Sequence, residues 1–280
     1  LPPVVAHLID DPHFDLVADI CDADAVDTVV AEADVLFHLA ASFGRTAGDE
    51  TMDCLHTNVH GTEVVLASAS RHGVRFLFSS TSAVYGNLEP GAILREEDGH
   101  LLGSSRVYGW DYALSKMVCE ELISGHAHRH RLPTTSVRLF NVVGPRLRRN
   151  VVPTFLGQAR RHEAITLHGD GEQSRCFTDV RDVVEGLVRL ADCDDAVGET
   201  VNIGSRFEFS VRELAQHVKR VTLSDSAIET VPYDYQMVPS RVPCLSKARR
   251  LIGFCAVHPV RDTIREILAL DDGGGAPDPA

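Results

Sequence analysis

Lysine is nearly absent from this chain. It occurs at positions 116, 219 and 247 only, while 27 basic residues face 40 acidic ones for a formal charge of -13. A balance of that sign gives no general attraction for nucleic acid or for an anionic membrane surface, so neither is expected as a partner. An anionic small ligand stays open, because it needs only a local Arg cluster. No apolar run is long enough to span a bilayer. Leu1-Pro2-Pro3 has neither the charged start nor the apolar core of a signal peptide. The seven cysteines are scattered, with no Cys-x-x-Cys pair. An odd number in a chain of this length points to a reduced, cytoplasmic setting. There is no His-Glu-x-x-His order and no Cys-x-x-Cys pair to complete a zinc set, so no metal site is expected. No internal repeat is present.

What is there is an alternating pattern. The chain has 280 residues, 44% of them hydrophobic, enough for one large domain or two modest ones. Short strands are expected at 15–18, 35–39, 74–78 and 134–139. Helices are expected at 23–33, 47–70 and 108–128, and 86–106 reads as a long loop. Strands alternating with helices imply a parallel α/β sheet. The second half carries expected helices at 151–162, 181–190, 211–221, 246–251 and 260–269, with strands at 165–168, 200–203 and 228–231. The Gly/Pro/Asp-rich stretch 271–280 reads as a disordered tail. This divides the chain into a sheet domain over 1–145 and a smaller lobe over 146–270, with a substrate cleft expected between them.

The small and polar residues gather where the strands end: Asp19, then Ala40-Ala41-Ser42, then Ser79-Ser80-Thr81, then Asn141. Ligands of open parallel sheets bind beyond those ends. Taken singly, each cluster is also an ordinary strand-terminating turn. Tyr112 and Lys116 are four residues apart and share a helix face. An ammonium held near a phenol favours the phenolate, and such a pair can exchange a proton with a sugar hydroxyl. Arg146, Arg175 and Arg241 fall in loops of the second half. Arg forks match phosphate oxygens, although loop arginines are also common solvated surface. His56 and His60 share a face, and His126, His128 and His130 crowd a helix end. Solvated surface is the better reading for both groups. His38, in an apolar strand, reads as a satisfied buried histidine.

Together these stretches resemble a known family. They are Asp19-Ile20, Val35 to Ala41, Asn58 to Thr62, Ser79 to Gly86, Tyr112 to Lys116, Arg138 to Pro145, His168 to Asp182, Glu199 to Gly204 and Arg241 to Ala248. Their order and spacing resemble the extended short-chain dehydrogenase/reductases, specifically the NAD-dependent nucleotide-sugar epimerases, dehydratases and decarboxylases. The resemblance covers about residues 15–270. It implies a Rossmann-type doubly wound parallel sheet with a smaller C-terminal α/β lobe, NAD as cofactor, a UDP-sugar as substrate, and a homodimer formed through two helices, about 47–70 and 108–128.

Roles follow by the same resemblance. Tyr112 is implied as the acid/base. Lys116 would hold the nicotinamide ribose and lower the Tyr112 pKa. Thr81 would bind the hydroxyl that is oxidised. Asp19 and Ile20 would meet the adenine. Leu39, Ala40 and Ala41 would line the cofactor with Ser79, and Asn58 would lie nearby. Phe140 would lie beside the nicotinamide. Asn141, Arg175 and Arg241 would hold the nucleotide sugar. Family dehydratases place Asp-Glu directly after the Thr, and decarboxylases commonly place a Glu two residues after it. Here Ser82 and Ala83 stand at those positions, which favours C4 epimerisation of a UDP-hexose through a 4-keto intermediate. The chain departs from the family in two ways. It has no Gly-x-x-Gly-x-x-Gly turn to hold a pyrophosphate at a helix N-terminus, and Cys244 replaces a common Asp. The missing turn raises the expectation of a truncated sequence or a non-catalytic sugar-nucleotide-binding relative that cannot hold NAD. A dehydratase or UDP-glucuronate decarboxylase is a lesser alternative.

Overall fold

The computed structural model describes residues 18–43, 49–87, 89, 91–103, 110–148, 150–232 and 238–273. Two compact units divide the chain. One comprises 1–86, 96–139 and 187–202, the other 87–95, 140–186 and 203–280.

The first unit is built on a four-stranded sheet in spatial order β1 (Val35–His38), β2 (Arg75–Thr81), β3 (Thr134–Leu139) and β4 (Thr200–Ile203). β1 pairs with β2 and β2 with β3 in parallel, which sets Leu36 opposite Phe76 and Thr81 opposite Leu139. β2 is apolar on both faces through Phe76, Leu77 and Phe78, all buried, as a strand covered on both sides requires. Among the described residues, helices that accompany the sheet include α1 (Ala23–Val30), α2 (Asp49–Leu55), α3 (Gly61–His72) and α4 (Asp111–His130). α1 starts where the Asp22 carboxylate accepts from the Asp24 and Ala25 amides, a side-chain N-cap. α3 stops at Gly73, whose φ of +70° suits a residue without Cβ. Val26, Val30, Leu66, Phe76, Phe78, Cys119 and Ile123 form the core of this unit.

Three expectations need revision. The helix expected over 47–70 is interrupted: α2 passes into a π-helical turn, His56–His60, before α3 begins. The wider turn carries Asn58, whose buried side chain is tied to neighbouring segments on both sides. The loop expected over 86–106 contains a short strand, Ile93–Leu94, paired with Val242–Pro243. Of the strand expected at 15–18, residues 15–17 lie outside the described residues, and Ala18 is in no strand.

In the second unit, Ile165–His168 pairs in parallel with Ile228–Val231, and Ser174–Cys176 pairs antiparallel with Glu208–Ser210. Helix Val211–Thr222 opens with a capping box between Ser210 and Glu213. Phe155, Leu156, Ile165, Leu167, Leu214, Val218 and Ile264 fill the core. The last helix, Val260–Gly273, runs three residues into the stretch expected as tail. Its buried Ile264 and Ile267 anchor it, and extending a formed helix costs far less than starting one. All seven cysteines are free thiols.

Candidate active site

Strand β2 ends in Ser79-Ser80-Thr81, and α4 lies over that end. The Lys116 ammonium donates to the Ser79 carbonyl at 2.7 Å. It sits 4.4 Å from the Phe78 ring centroid and 6.0 Å from that of Tyr112. The Thr81 side chain lies within reach of the Tyr112 hydroxyl and favours its ionised form. Thr81 Oγ1 also accepts from the Ala83 amide at 3.2 Å, capping the 3-10 turn Ser82–Tyr85. The structure therefore brings Thr81, Tyr112 and Lys116 together. It adds a residue that no local feature of the chain marks out. The ring of Phe43 stacks on Tyr112, with centroids 4.1 Å apart and planes inclined by 22°.

The electrostatics are set by burial. Lys116 is 2% exposed, and the loss of hydration brings its pKa down to about 8. Burial also pushes the Tyr112 phenol above its ordinary value. Cys54 and Cys119 act in the same direction, and the Thr81 side chain opposes them. The expectation that Lys116 lowers the Tyr112 pKa is not met in this arrangement. The ammonium is committed to the Ser79 carbonyl, and desolvation of the phenol sets the direction.

Of the residues expected to meet a dinucleotide, Asp19 and the strip Leu39 to Ala41 stand open to a ligand. Asp19 is an exposed carboxylate whose pKa is lowered by the hydrogen bond it accepts from the Cys21 amide, so it stands ionised as an acceptor. Beyond β1, Leu39 is 56% exposed and Ala40 and Ala41 are exposed too. This small apolar strip can lie against a flat ring. Ser79 is occupied, its hydroxyl donating to the His38 carbonyl. Ile20 packs on α3 so closely that a Cβ on Gly61 would lie 2.5 Å from its Cδ1. Asn58 spends its side chain inside the protein. Its Oδ1 accepts from the Ser42 amide, and its Nδ2 donates to the Ser42 carbonyl and to Ser115 Oγ. It pins the segment after β1 to α4.

His38 is the satisfied buried histidine expected, and His56 and His60 are exposed, but His126 is half-buried with its Nδ1 2.9 Å from Ser70 Oγ. His38 Nε2 lies 2.9 Å from Thr62 Oγ1, and burial holds its pKa down at about 4, so it is neutral. The His56 and His60 rings stack at 5.1 Å and those of His126 and His130 lie 5.3 Å apart. Among the described residues no three side chains form a metal-ligand group.

The second unit holds the other expected site residues. Phe140 is fully buried against Gly204, where a Cβ would come within 2.8 Å of the Phe140 Cβ. Asn141 takes a left-handed backbone with φ of +35°, a conformation Asn tolerates better than most residues. Arg175 donates to the carbonyls of Ser174 and Val238. Arg241 is partly buried.

Sequence reasoning also missed a polar set beside Lys116. Ser80 Oγ donates to Glu120 Oε1 at 2.5 Å, and Arg138 forks onto both Glu120 oxygens at 3.0 and 2.7 Å. A signal existed in the sequence. Glu120 continues the four-residue spacing of Tyr112 and Lys116, and Arg138 is a charge inside an apolar strand.

A parallel α/β sheet whose strand ends carry a Thr–Tyr–Lys set, flanked by an ionised carboxylate and an exposed apolar strip, defines a dinucleotide-dependent enzyme of the Tyr–Lys kind. The model of the NAD dependent epimerase/dehydratase family matches residues 5–204, and the chain belongs to that family of NAD-dependent enzymes. It is 36% identical over 251 residues to a UDP-N-acetyl-alpha-D-glucosaminuronate decarboxylase of Bacillus cytotoxicus, covering 86% of this chain and 76% of that protein. The structure of an epimerase from Methanothermobacter thermautotrophicus superposes with a TM-score of 0.81 at 29% identity, covering 91% of this chain and 78% of that one. A UDP-glucuronic acid 4-epimerase of Bacillus cereus, solved with UDP-glucuronic acid and NAD, shares the fold with a TM-score of 0.86 at 22% identity, covering 95% and 85%.

Proposed function

We propose that this chain catalyses NAD-dependent epimerisation of a nucleotide sugar, a UDP-hexose, at C4 through a transient 4-keto sugar. The observation that carries this is Tyr112 within reach of Thr81 beside a buried Lys116, followed by Ser82 and Ala83 rather than by carboxylates. Bound NAD would accept the C4 hydride and return it. Asp19, Leu39, Ala40, Ala41 and Lys116 would hold it, and the sugar diphosphate would fall to Asn141, Arg175 and Arg241. Thr81 Oγ1 orients the C4 hydroxyl, and Tyr112 takes its proton. The phenol starts out protonated and disfavours ionisation, so its deprotonation needs the nearby Lys116 cation and a closed, dry site. Once the keto sugar has turned its other face, Tyr112 returns the proton and the C4 configuration is inverted.

A decarboxylase reading is supported by the name of the Bacillus cytotoxicus relative. Ala83 argues against it, because the position where family decarboxylases commonly carry a Glu holds no acid here. We place the second copy of a homodimer on the outer face of α4. Leu114 and Val118 are exposed there, and a hollow of about 460 Å³ is lined by Val118, Leu122, Gly125 and His126. The enzymatic test is proton NMR of UDP-glucose, UDP-galactose and UDP-glucuronic acid incubated with the chain and NAD. The expected product is the C4 epimer with every carbon retained. A UDP-pentose with released carbon dioxide, or a dehydrated sugar, would sink the proposal.

A further inference from the structure

One turn beyond Lys116 on α4, Glu120 is a nearly buried carboxylate that the proton chemistry above does not use. Its side chain is 12% exposed, and that of its partner Arg138 is 5% exposed. Arg138 is itself held, donating to the Glu96 carbonyl at 3.1 Å with its guanidinium 4.8 Å from the Tyr85 ring centroid. Three successive residues at the end of β2 are thus each met from α4 at four-residue intervals. Lys116 bonds the Ser79 carbonyl, Glu120 bonds the Ser80 hydroxyl, and Tyr112 lies within reach of Thr81.

We propose that Glu120 is a positioning residue for the proton-transfer pair, fixing the register of α4 against β2 and β3 and setting a negative charge behind the Lys116 ammonium. This rests on the roles given above to Tyr112 and Lys116. A buried ion pair adds little stability over an apolar pair of the same shape, so its retention here asks for another reason. An apolar pair could not accept the Ser80 hydroxyl or oppose the Lys116 charge. The groups that act on Lys116 are Cys119 and Glu120 from α4 and Cys54 from α2, all favouring its charged form. It also faces His38 of β1, held neutral, and Phe78 and the Ser79 carbonyl of β2. Glu120 is the carboxylate of that set, and Arg138 is the cation that faces Glu120 in turn.

The test uses the presence of only three lysines. The chain is labelled with carbon-13 at lysine Cε, and the Lys116 resonance is titrated in the wild type, in Glu120→Gln and in Ser80→Ala, beside kcat and KM across pH. In the wild type the Lys116 midpoint falls near 8. In Glu120→Gln the ammonium is expected to lose its proton about tenfold more readily. The alkaline limb of kcat moves to lower pH with it, and KM stays within about twofold. In Ser80→Ala the midpoint stays and kcat falls about fivefold with an unchanged thermal melt. A folded Glu120→Gln with the wild-type midpoint and pH profile would overturn the proposal. If Glu120→Gln does not fold, wild-type kcat in Ser80→Ala overturns it. A wild type that epimerises nothing defeats the proposed reaction, and the Lys116 titration still decides the role of Glu120.

Discussion

The two faces of α4 each depart in part from an ordinary surface helix. The face turned to the sheet buries Ala113, Cys119 and Ile123 as a core face does, but it also carries Tyr112, Ser115, Lys116 and Glu120, with Ser115 and Lys116 fully or almost fully buried. The face turned away carries Glu121 and His128 together with Leu114 and Val118, all exposed. A helix built for stability alone keeps charge off its inner face and apolar groups off its outer one. Burying a charged lysine opposes folding, so the inner face is explained by what its groups do to one another and to a bound sugar. The outer apolar groups suit the second copy proposed there. One element would then carry a chemical face and a proposed assembly face.

The largest expected effect lies on the inner face. Tyr112→Phe removes the hydroxyl that exchanges the proton and should cut turnover by about 10²–10⁴-fold with an unchanged circular-dichroism melt. A loss of only a few fold would remove the chemical meaning of that face. Next comes Arg138→Met, which leaves Glu120 buried without its cation and should cost about 3–5 kcal/mol in urea unfolding. A neutral result would show that the inner network is dispensable to the fold.

A subtler test is the pH dependence of stability. The folded pKa of Lys116 is depressed, from 10.5 to about 8. Below pH 8 both folded and unfolded states hold the proton, and the burial cost is fully present. Between about 8 and 10.5 the unfolded chain binds more protons, so this group's contribution to stability rises with pH by roughly 3 kcal/mol at most. The difference in unfolding free energy between the wild type and Lys116→Met, followed from pH 7 to 10, should shift in the wild type's favour. A constant difference would mean that Lys116 is not held in a dry site. The smallest catalytic effect is expected from the outer face. Val118→Glu should break the proposed dimer into monomers in analytical ultracentrifugation while leaving the Lys116 titration untouched. A change in that titration would collapse the distinction between the faces.

Much of this was legible in the residues themselves. Thr81, Tyr112 and Lys116 announce themselves because small polar groups at successive strand ends and a four-residue Tyr–Lys spacing are local features. β2 and β3 were legible for a similar reason, as short apolar runs bounded by polar clusters. What was not legible depends on partners far apart in the chain. Phe43 stacks on Tyr112 across 69 positions, and Ser80 meets Glu120 across 40, so no window of sequence contains either pair. The π turn at His56–His60 was hidden because its residues keep helical character, and only the inward pull of Asn58 onto Ser42 and Ser115 distinguishes it. The direction of the Tyr112 pKa was misjudged because spacing reveals a neighbouring charge but not the depth at which the phenol is buried.

The central claim is that Thr81, Tyr112 and Lys116 carry a reversible oxidation at C4. The most direct test is to supply UDP-hexose bearing deuterium at C4 with NAD and to read the product by NMR and mass spectrometry. Passage through a 4-keto sugar with return of the same hydride predicts the C4 epimer with deuterium still at C4, formed by the wild type and not by Tyr112→Phe. Loss of the label to solvent, or equal conversion by Tyr112→Phe, would contradict the account.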